Sequence, residues 1–357
     1  MEAAIAMSRR HNVQTVRIVF LGLAFAVGIR ILRRISALLH GASIPSQSPC
    51  LHGYGSATTR KGFSVMSFNL RYDNKQDKRR GHGWEDRRDA LCKLISEATV
   101  DVVGTQEGLS HQLQYLSSHL PDYEYFGEAR DLHLGLLPSG EYCALLCRSG
   151  FARPFGCSTF ALSETPEKCG SKSWGSACPR IATMAWMHLE QGGGGCVLLL
   201  NTHLDHRSQR ARVQGAKLIV ARLEELERKG PPSECGQHLG TIVTGDFNCY
   251  QRNWEGNPNP CFKIFEDAGF RDACSESGDG QCIFKSFHDW CPDSACAELG
   301  SRKLHGHIDW ILWRGSGLQL DSFDIITSGG SATVPPSDHF PVVARFKLAS
   351  IRWDVEK

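Results

Sequence analysis

The sequence predicts an α/β protein built on mixed sheet. Strand-like and helical runs alternate from Phe63 to Leu120, the pattern of an α/β architecture. Two long apolar runs, Arg180–Leu189 and Cys196–Leu200, are joined only by the turn Gly192–Gly195, a link short enough to require antiparallel pairing. The 357 residues, of ordinary hydrophobic and charged content, suffice for one large core and exclude disordered and fibrous classes.

Taken in order, the chain opens with a basic, acid-poor segment. Residues 1–50 hold six arginines against Glu2, and the next acid is Asp73. Within it Ile18–Ile29 is uninterrupted and apolar between Arg17 and Arg30, shorter than the ~20 residues a spanning helix needs. Three readings stay open: a short membrane anchor whose arginines reach the interface, a cleaved organellar presequence, and, behind these two, a plain buried helix. The protein is accordingly expected to be membrane-anchored or organelle-targeted, and otherwise intracellular. Gly41–Lys61, rich in Gly, Ser, Thr and Pro, reads as a linker, so residues 1–60 form a targeting or anchor segment and 61–350 the globular domain.

Phe63–Phe68 reads as a strand delivering Asn69-Leu70-Arg71-Tyr72-Asp73. Trp84–Ala98 carries Trp84, Leu91, Leu94, Ile95 and Ala98 at helical spacing. Asp101–Gln106 is a strand ending at Glu107, and Leu109, Leu113, Leu116 and Leu120 mark a helix stopped by Pro121. Tyr142–Cys147 is a strand, and the polar loop Ser163–Pro179 leads into the strand at Arg180–Leu189. Cys196–Leu200 runs into Asn201-Thr202-His203-Leu204-Asp205-His206. Val213, Ala216, Ile219, Val220, Leu223 and Leu226 form a helix stripe ended by Gly230. Thr241–Asn248 is an apolar, β-branched strand ending in Gly245-Asp246-Phe247-Asn248. Phe262–Ala268 is a short helix, Asp272–Arg302 a long cysteine-rich loop, and His307–Trp313 and Pro341–Lys347 are closing strands. Long loops of that kind are functional or mobile, and Phe284, Phe287, His288 and Trp290 are candidates to cover a substrate or to pack at a rim.

The formal net charge is only +2, and because residues 1–50 hold six arginines against Glu2, the remaining chain is slightly acidic. The remainder does not advertise a large basic surface for gripping long nucleic acid. Fifteen cysteines are scattered without zinc-ribbon spacing, which reads as reduced, mostly buried thiols. The crowd from Cys261 to Cys296 keeps a disulfide-bonded alternative open.

Five segments share one design, a hydrophobic strand ending in a polar cluster: Asn69, Glu107, His203, Asp246 with Asn248, and Asp338 with His339. Asp309 lies inside a sixth. A single carboxylate at a strand end is ordinarily a turn former or cap, but several at one sheet edge build a pocket of acids, amides and imidazoles. That inventory suits phosphate-ester hydrolysis assisted by a hard cation. Oxygen ligands such as Glu107 suit Mg²⁺ or Mn²⁺, and an imidazole beside an acid can take a proton from water. Asn69 and Asn248 can donate to phosphate oxygens, and Arg180, with Arg71 second, can offset transition-state charge.

Here a resemblance becomes specific. Phe68-Asn69-Leu70, Gln106-Glu107, Asn201-Thr202-His203-Leu204, Gly245-Asp246-Phe247-Asn248, Ile308-Asp309-Trp310-Ile311 and Ser337-Asp338-His339-Phe340-Pro341, in that order over residues 63–348, resemble the endonuclease/exonuclease/phosphatase superfamily, or DNase I-like fold. Ser67–Asp73, Leu162–Pro166 and Ser173–Gly175 point to a poorly characterised branch of it. The resemblance implies a four-layer α/β/β/α sandwich with two mixed sheets and the site at one end. It also implies roles: Glu107 as main metal ligand, Asn69 and Asp338 beside the metal, Asp246 and Asn248 on the attacking water and phosphate, His203 on the phosphate, and His339 held by Asp309. Asp246 and His339 both remain candidates for the base. The expected activity is Mg²⁺- or Mn²⁺-dependent cleavage of a phosphoester, by a phosphodiesterase or phosphatase acting as a monomer. The alternatives are an exonuclease on RNA or DNA ends and a non-catalytic binding module. Zinc at His203-x-x-His206 or His305-x-His307 lacks the helical HExxH arrangement. In the Ser163–Arg180 loop, Trp174 offers a stacking face and Arg180 a phosphate clamp.

Overall fold

A computed structural model describes residues 62–133, 137–190, 195–253, 255–278, 285–290, 307–327 and 334–349. The N-terminal segment with Ile18–Ile29, the turn at 192–194, Phe284, His305 and most of the cysteine-rich loop lie outside the described residues. Among the described residues, no helix is long and apolar enough to cross a membrane.

In chain order the strands are β1 (Gly62–Asn69), β2 (Val102–Gln106), β3 (Tyr123–Phe126), β4 (Ala129–His133), β5 (Leu137–Tyr142), β6 (Leu145–Arg148) and β7 (Ala152–Ala161). They continue as β8 (Ile181–Leu189), β9 (Cys196–His203), β10 (His238–Asp246), β11 (Arg271–Asp272), β12 (Asp309–Arg314), β13 (Leu318–Ile325) and β14 (Val342–Leu348). Two six-stranded sheets result, ordered β13-β14-β1-β2-β6-β3 and β11-β12-β10-β9-β8-β7, with β4–β5 as a separate hairpin. Both sheets are mixed: β1 with β2 and β9 with β10 are parallel, while their other neighbours are antiparallel.

One apolar cluster draws on both sheets, with Val65, Val102 and Phe346 meeting Met187, Leu199 and Trp313. A second covers the outer face of the β9–β10 sheet with the helices Gln209–Lys229 and Pro260–Asp267, through Ile219, Leu223 and Phe265. A third covers the outer face of the other sheet with the helices Trp84–Ala98 and Ser110–His119, through Leu91, Ile95 and Leu113. The result is the four-layer α/β/β/α sandwich. Strands covered on both faces read as continuous apolar runs, and β9 and all but the first residue of β10 are buried.

The helix Trp84–Ala98 has the expected bounds. The helix Gln209–Lys229 begins on the Ser208 side chain, which accepts from Ala211 N, and ends at Gly230 with φ 77°, a left-handed conformation natural to glycine. The expected strand Tyr142–Cys147 is two elements instead. Tyr142 closes the β4–β5 hairpin and donates its N–H to Gly108 O at 2.8 Å, and β6 starts only at Leu145. The sandwich also contains β3, β7, β11 and β13, which the sequence reading did not assign. Cys92, Cys143, Cys147, Cys196, Cys235, Cys249 and Cys261 are buried free thiols. Cys274, inside the expected cysteine-rich stretch, is disulfide-bonded.

Near one end the two sheets are tied by a buried polar knot. Asn201, on β9, donates through Nδ2 to Thr105 O at 2.8 Å and Ala144 O at 3.0 Å across the sandwich. Its Oδ1 accepts from Gln106 Nε2 at 2.7 Å and Thr244 Oγ1 at 3.0 Å. Gly104 makes the approach possible, since a Cβ there would stand 2.2 Å from Thr244 Oγ1. Asn201→Ala removes all four of these bonds at once, taking the cross-sandwich donor from the Thr105 and Ala144 carbonyls and the shortest acceptor from Gln106 Nε2, which keeps only its 3.2 Å contacts to Ser67 and Gly104. It is expected to cost about 3 kcal/mol, read as a lower urea midpoint with an unchanged m-value.

Candidate active site

Strand direction explains why distant residues meet. The parallel pairs β1–β2 and β9–β10 place Asn69, Glu107, His203 and Asp246 at the same ends of their strands. The antiparallel partners return there with their first residues: Asp309 is in register with Asp246, which is itself in register with His203. Val342 pairs with Ser67, which carries Asp338 and His339 to the tip of β1. Glu107, Arg180, His203, Asp246, Asn248, Asp338 and His339 line one cleft of about 440 Å³. Asn69 and Asp309 lie directly behind it through their bonds to Asp246 and His339.

Three cleft residues just beyond strand ends have left-handed backbones: Arg71 (φ 56°), Glu107 (φ 63°) and Asn248 (φ 51°). Such conformations are uncommon outside glycine and cluster at functional sites. Each is held by named bonds. Arg71 N donates to Asn69 Oδ1 at 2.9 Å, Tyr72 N to Glu107 Oε2 at 3.1 Å, and Asn248 N to Asp246 Oδ1 at 2.9 Å. Asn69 Nδ2 spans the two sheets, donating to Glu107 Oε1 at 3.2 Å and Asp246 Oδ2 at 3.0 Å.

His339 Nδ1 meets Asp309 Oδ2 at 2.8 Å, and its Nε2 is 3.8 Å from Asp246 Oδ2. Burial alone would lower the imidazole's pKa, but the carboxylates of Asp309, Asp246 and Asp338 outweigh it and raise it to about 10. His203 behaves oppositely. Burial and the nearby Arg180 and Arg130 drive its pKa well down, so it is neutral, its Nε2 accepting from Asn248 Nδ2 at 2.9 Å. Asp246 is pushed up to about 7 by burial and by the Asp309 charge. Asp338 is raised chiefly by burial, with Glu107 adding to it.

These carboxylates therefore crowd negative potential into one buried place. Glu107, Asp246 and His203 bring one ligand atom each within 4.8 Å of one another, Asp338 lines the same cleft, and the carboxylate oxygens among them fit a hard divalent cation of the Mg²⁺ or Mn²⁺ kind. The zinc alternative fits less well. His203 Nε2 faces Asn248, and His206 Nδ1 lies 3.1 Å from the Arg180 guanidinium, a cation where a metal would have to bind.

Arg180 sits at the head of β8, its Nη1 4.0 Å from Glu141 Oε2 and its Nε 4.0 Å from Asp205 Oδ2. Its buried Nε has no hydrogen-bond partner among the described residues. Trp174 is not in the cleft lining; it turns through φ 57° and its carbonyl accepts from Ser208 Oγ at 2.9 Å. Of the loop aromatics, Phe287 reaches the cleft, its ring 4.9 Å from that of His339. His288 packs on Phe340 and Trp290 on His82.

Sequence reasoning missed several residues here. Arg87, fully buried, donates to Leu70 O at 2.5 Å, to Pro336 O at 2.9 Å and to Arg71 O, binding the loop after β1 to the one carrying Asp338. Its signal was present, because position 87 lies on the apolar stripe between Trp84 and Leu91. Asp77 anchors Arg71 at 2.7 Å, whose Nε is also 3.5 Å from Asp338. Arg130 and Glu141, on β4 and β5, also line the cleft, and nothing in their local pattern marks them.

A sequence model described as the Endonuclease/Exonuclease/phosphatase family matches residues 66–339. Among solved structures, an endonuclease/exonuclease/phosphatase from Bacteroides vulgatus is 28% identical, over 81% of this chain and 100% of that one, with a TM-score of 0.67. A mannosyl-6-phosphatase from Bacteroides thetaiotaomicron is 29% identical over 80% and 99%, with a TM-score of 0.65. The human Nocturnin catalytic domain with bound sulfate, at 19% identity over 81% and 96% and a TM-score of 0.57, shares the fold. No curated protein sequence matches the chain significantly.

The raised His339 pKa has a signed consequence. The unfolded imidazole titrates near 6.5 and the folded one near 10, so its contribution is complete below 6.5 and is lost as pH rises toward 10. Between pH 7 and 9, metal-free wild type should lose about 1.4 kcal/mol per pH unit relative to His339→Gln, measured by urea denaturation in chelator. Parallel curves for the two proteins would contradict the assigned charge state.

Proposed function

The chain belongs to the endonuclease/exonuclease/phosphatase family, and on that premise we propose that it hydrolyses a phosphoester with Mg²⁺ or Mn²⁺ as its cofactor. The observation carrying this reading is the convergence on one cleft of Glu107, Asp246, Asn248, His203 and the Asp309–His339 pair, with Arg180 on the wall. A phosphoryl group needs donors for its non-bridging oxygens, a proton acceptor for the attacking water and compensation for developing charge. Each has a named group.

In this reading Glu107 and Asp338 hold the cation, and Asn69 aligns Glu107 and Asp246 beside it. The ion, when bound, polarises the phosphoryl oxygens. Asn248 and His203 face the phosphate, and Arg180 supplies a second positive group. His339, cationic through Asp309, donates to a phosphate oxygen. Asp246, with its carboxyl near neutrality, is the better matched of the two base candidates to take the proton from water.

Support for a phosphatase comes from the mannosyl-6-phosphatase relative, and for a compact substrate from the cleft's size. The exonuclease and the non-catalytic module are the competing outcomes of the same assay. We also propose the N-terminal segment as a membrane anchor or cleaved presequence, which sequencing the N-terminus of the mature protein decides.

The test is turnover of a phosphomonoester and a phosphodiester by the full chain in Mg²⁺ or Mn²⁺. Chelator should abolish it and the metal restore it. His339→Ala should lower kcat about 10²–10⁴-fold. Glu107→Ala should raise the metal concentration needed for half-maximal rate. Turnover insensitive to chelator and to both substitutions would sink the proposal.

A further inference from the structure

Resting on the hydrolase reading above, we infer that Arg130 and Glu141, on the β4–β5 hairpin, form a subsite for a neutral polyol leaving group, so that the substrates are monophosphates of small hydroxyl-bearing molecules. The hairpin is fixed against the site. Tyr142 N donates to Gly108 O at 2.8 Å, one residue beyond Glu107, and Gly170 N donates to Arg130 O at 3.2 Å. Cys169 Sγ reaches Ala129 O at 3.6 Å. At Gly170, φ 75°, a Cβ would stand 2.6 Å from Asp131 Oδ1, so the loop that presents Arg180 lies directly on the hairpin.

Arg130 Nη1 donates to Glu141 Oε2 at 2.5 Å, and both side chains are mostly buried, at 19% and 13% exposure, while lining the cleft. Glu141 Oε1 accepts no hydrogen bond from the described residues. Holding a carboxylate here is costly: burial, reinforced by the Glu107 charge, raises the Glu141 carboxyl, and the Arg130 and Arg180 guanidiniums oppose the rise. None of the hydrolytic groups bonds to Glu141 except through the distant Arg180 contact. A buried, perturbed carboxyl in a cleft that chemistry does not require points to ligand recognition.

The pairing says what kind of ligand. A guanidinium alone would select a second anion. Tied to a carboxylate, it presents donors and acceptors side by side with no net charge. Neighbouring hydroxyls, each able to donate and accept, match that surface. A second phosphate meets the Glu141 carboxylate, leaving Arg180 alone to serve the reacting one.

The experiment compares the full-length wild type, Glu141→Ala and Glu141→Gln in Mg²⁺. The substrates are a hexose 6-phosphate, a nucleoside 5′-monophosphate, phenyl phosphate and a hexose bisphosphate. Wild type should favour a polyol monophosphate over phenyl phosphate. The more active of the hexose and nucleotide arms identifies which polyol is the source. Glu141→Ala should cut the kcat/KM ratio of polyol to phenyl phosphate about tenfold or more, mainly through KM. It should also raise relative activity on the bisphosphate, because Arg130 is freed. Glu141→Gln, which keeps the shape and an acceptor, should fall between. If Glu141→Ala does not fold, the wild-type preference and Glu141→Gln decide.

Wild type active without a polyol preference overturns the subsite alone, as does an equal loss on all substrates with no bisphosphate gain. Wild type silent on every phosphoester overturns the hydrolase reading and the subsite with it.

Discussion

The site depends on how two sheets are held at one end, and one buried amide does most of that. Asn201 bonds two carbonyls of the facing sheet and accepts from Gln106 and Thr244. Apolar packing between sheets is forgiving of small slides, whereas four hydrogen bonds around one amide are satisfied in one registration only. Toward the cleft, Asn69 repeats the device, bonding Glu107 from its own sheet's end and Asp246 from the other. Between them the two amides fix the separation of the carboxylates on which any shared cation would depend.

Once that separation is fixed, charge determines what each group is. The carboxylates of Asp309, Asp246 and Asp338 outweigh burial at His339 and keep it cationic, while at His203 burial prevails, reinforced by Arg180 and Arg130, and keeps it neutral. Two buried imidazoles in one cleft thus have opposite states because the surrounding charges overcome desolvation at one and add to it at the other. Arg71 belongs to the same balance: Asp77 holds it at 2.7 Å while its Nε stays 3.5 Å from Asp338. Arg87 then locks the loops bearing both, spending its hydrogen bonds on three backbone carbonyls.

The sequence disclosed most where periodicity and burial agree. The helix Trp84–Ala98 carries an apolar stripe at helical spacing and strands β1, β9 and β10 are rich in apolar and β-branched residues, and the motif residues at their ends were legible with them. Strand β7 was not, because it is an edge carrying Pro154 and Gly156 with mostly exposed side chains, so no alternation survives. Glu141 was hidden for a related reason. Leu137-Pro138-Ser139-Gly140-Glu141-Tyr142 reads as a turn, and only pairing with β4 and the Tyr142–Gly108 bridge turns it to the cleft. Arg87 was visible in principle, as a cation on an apolar stripe, but a stripe names no partners. The carbonyls of Leu70, Arg71 and Pro336 come from segments far apart in the chain.

A division of labour follows from these differences. Groups at the ends of central strands are positioned by the sandwich core, so their places follow from strand order and register. Those on the β4–β5 hairpin and the Ser163–Arg180 loop are positioned by each other, through Gly170–Arg130, Cys169–Ala129 and Arg180–Glu141. Substituting the first kind disturbs the sheets as well as the chemistry. The second kind depends on contacts between the hairpin and the loop rather than on strand register. The proposed phosphoester chemistry thus draws chiefly on groups that strand order and register place, and the proposed Arg130–Glu141 subsite on a hairpin held by Gly108 and the Ser163–Arg180 loop.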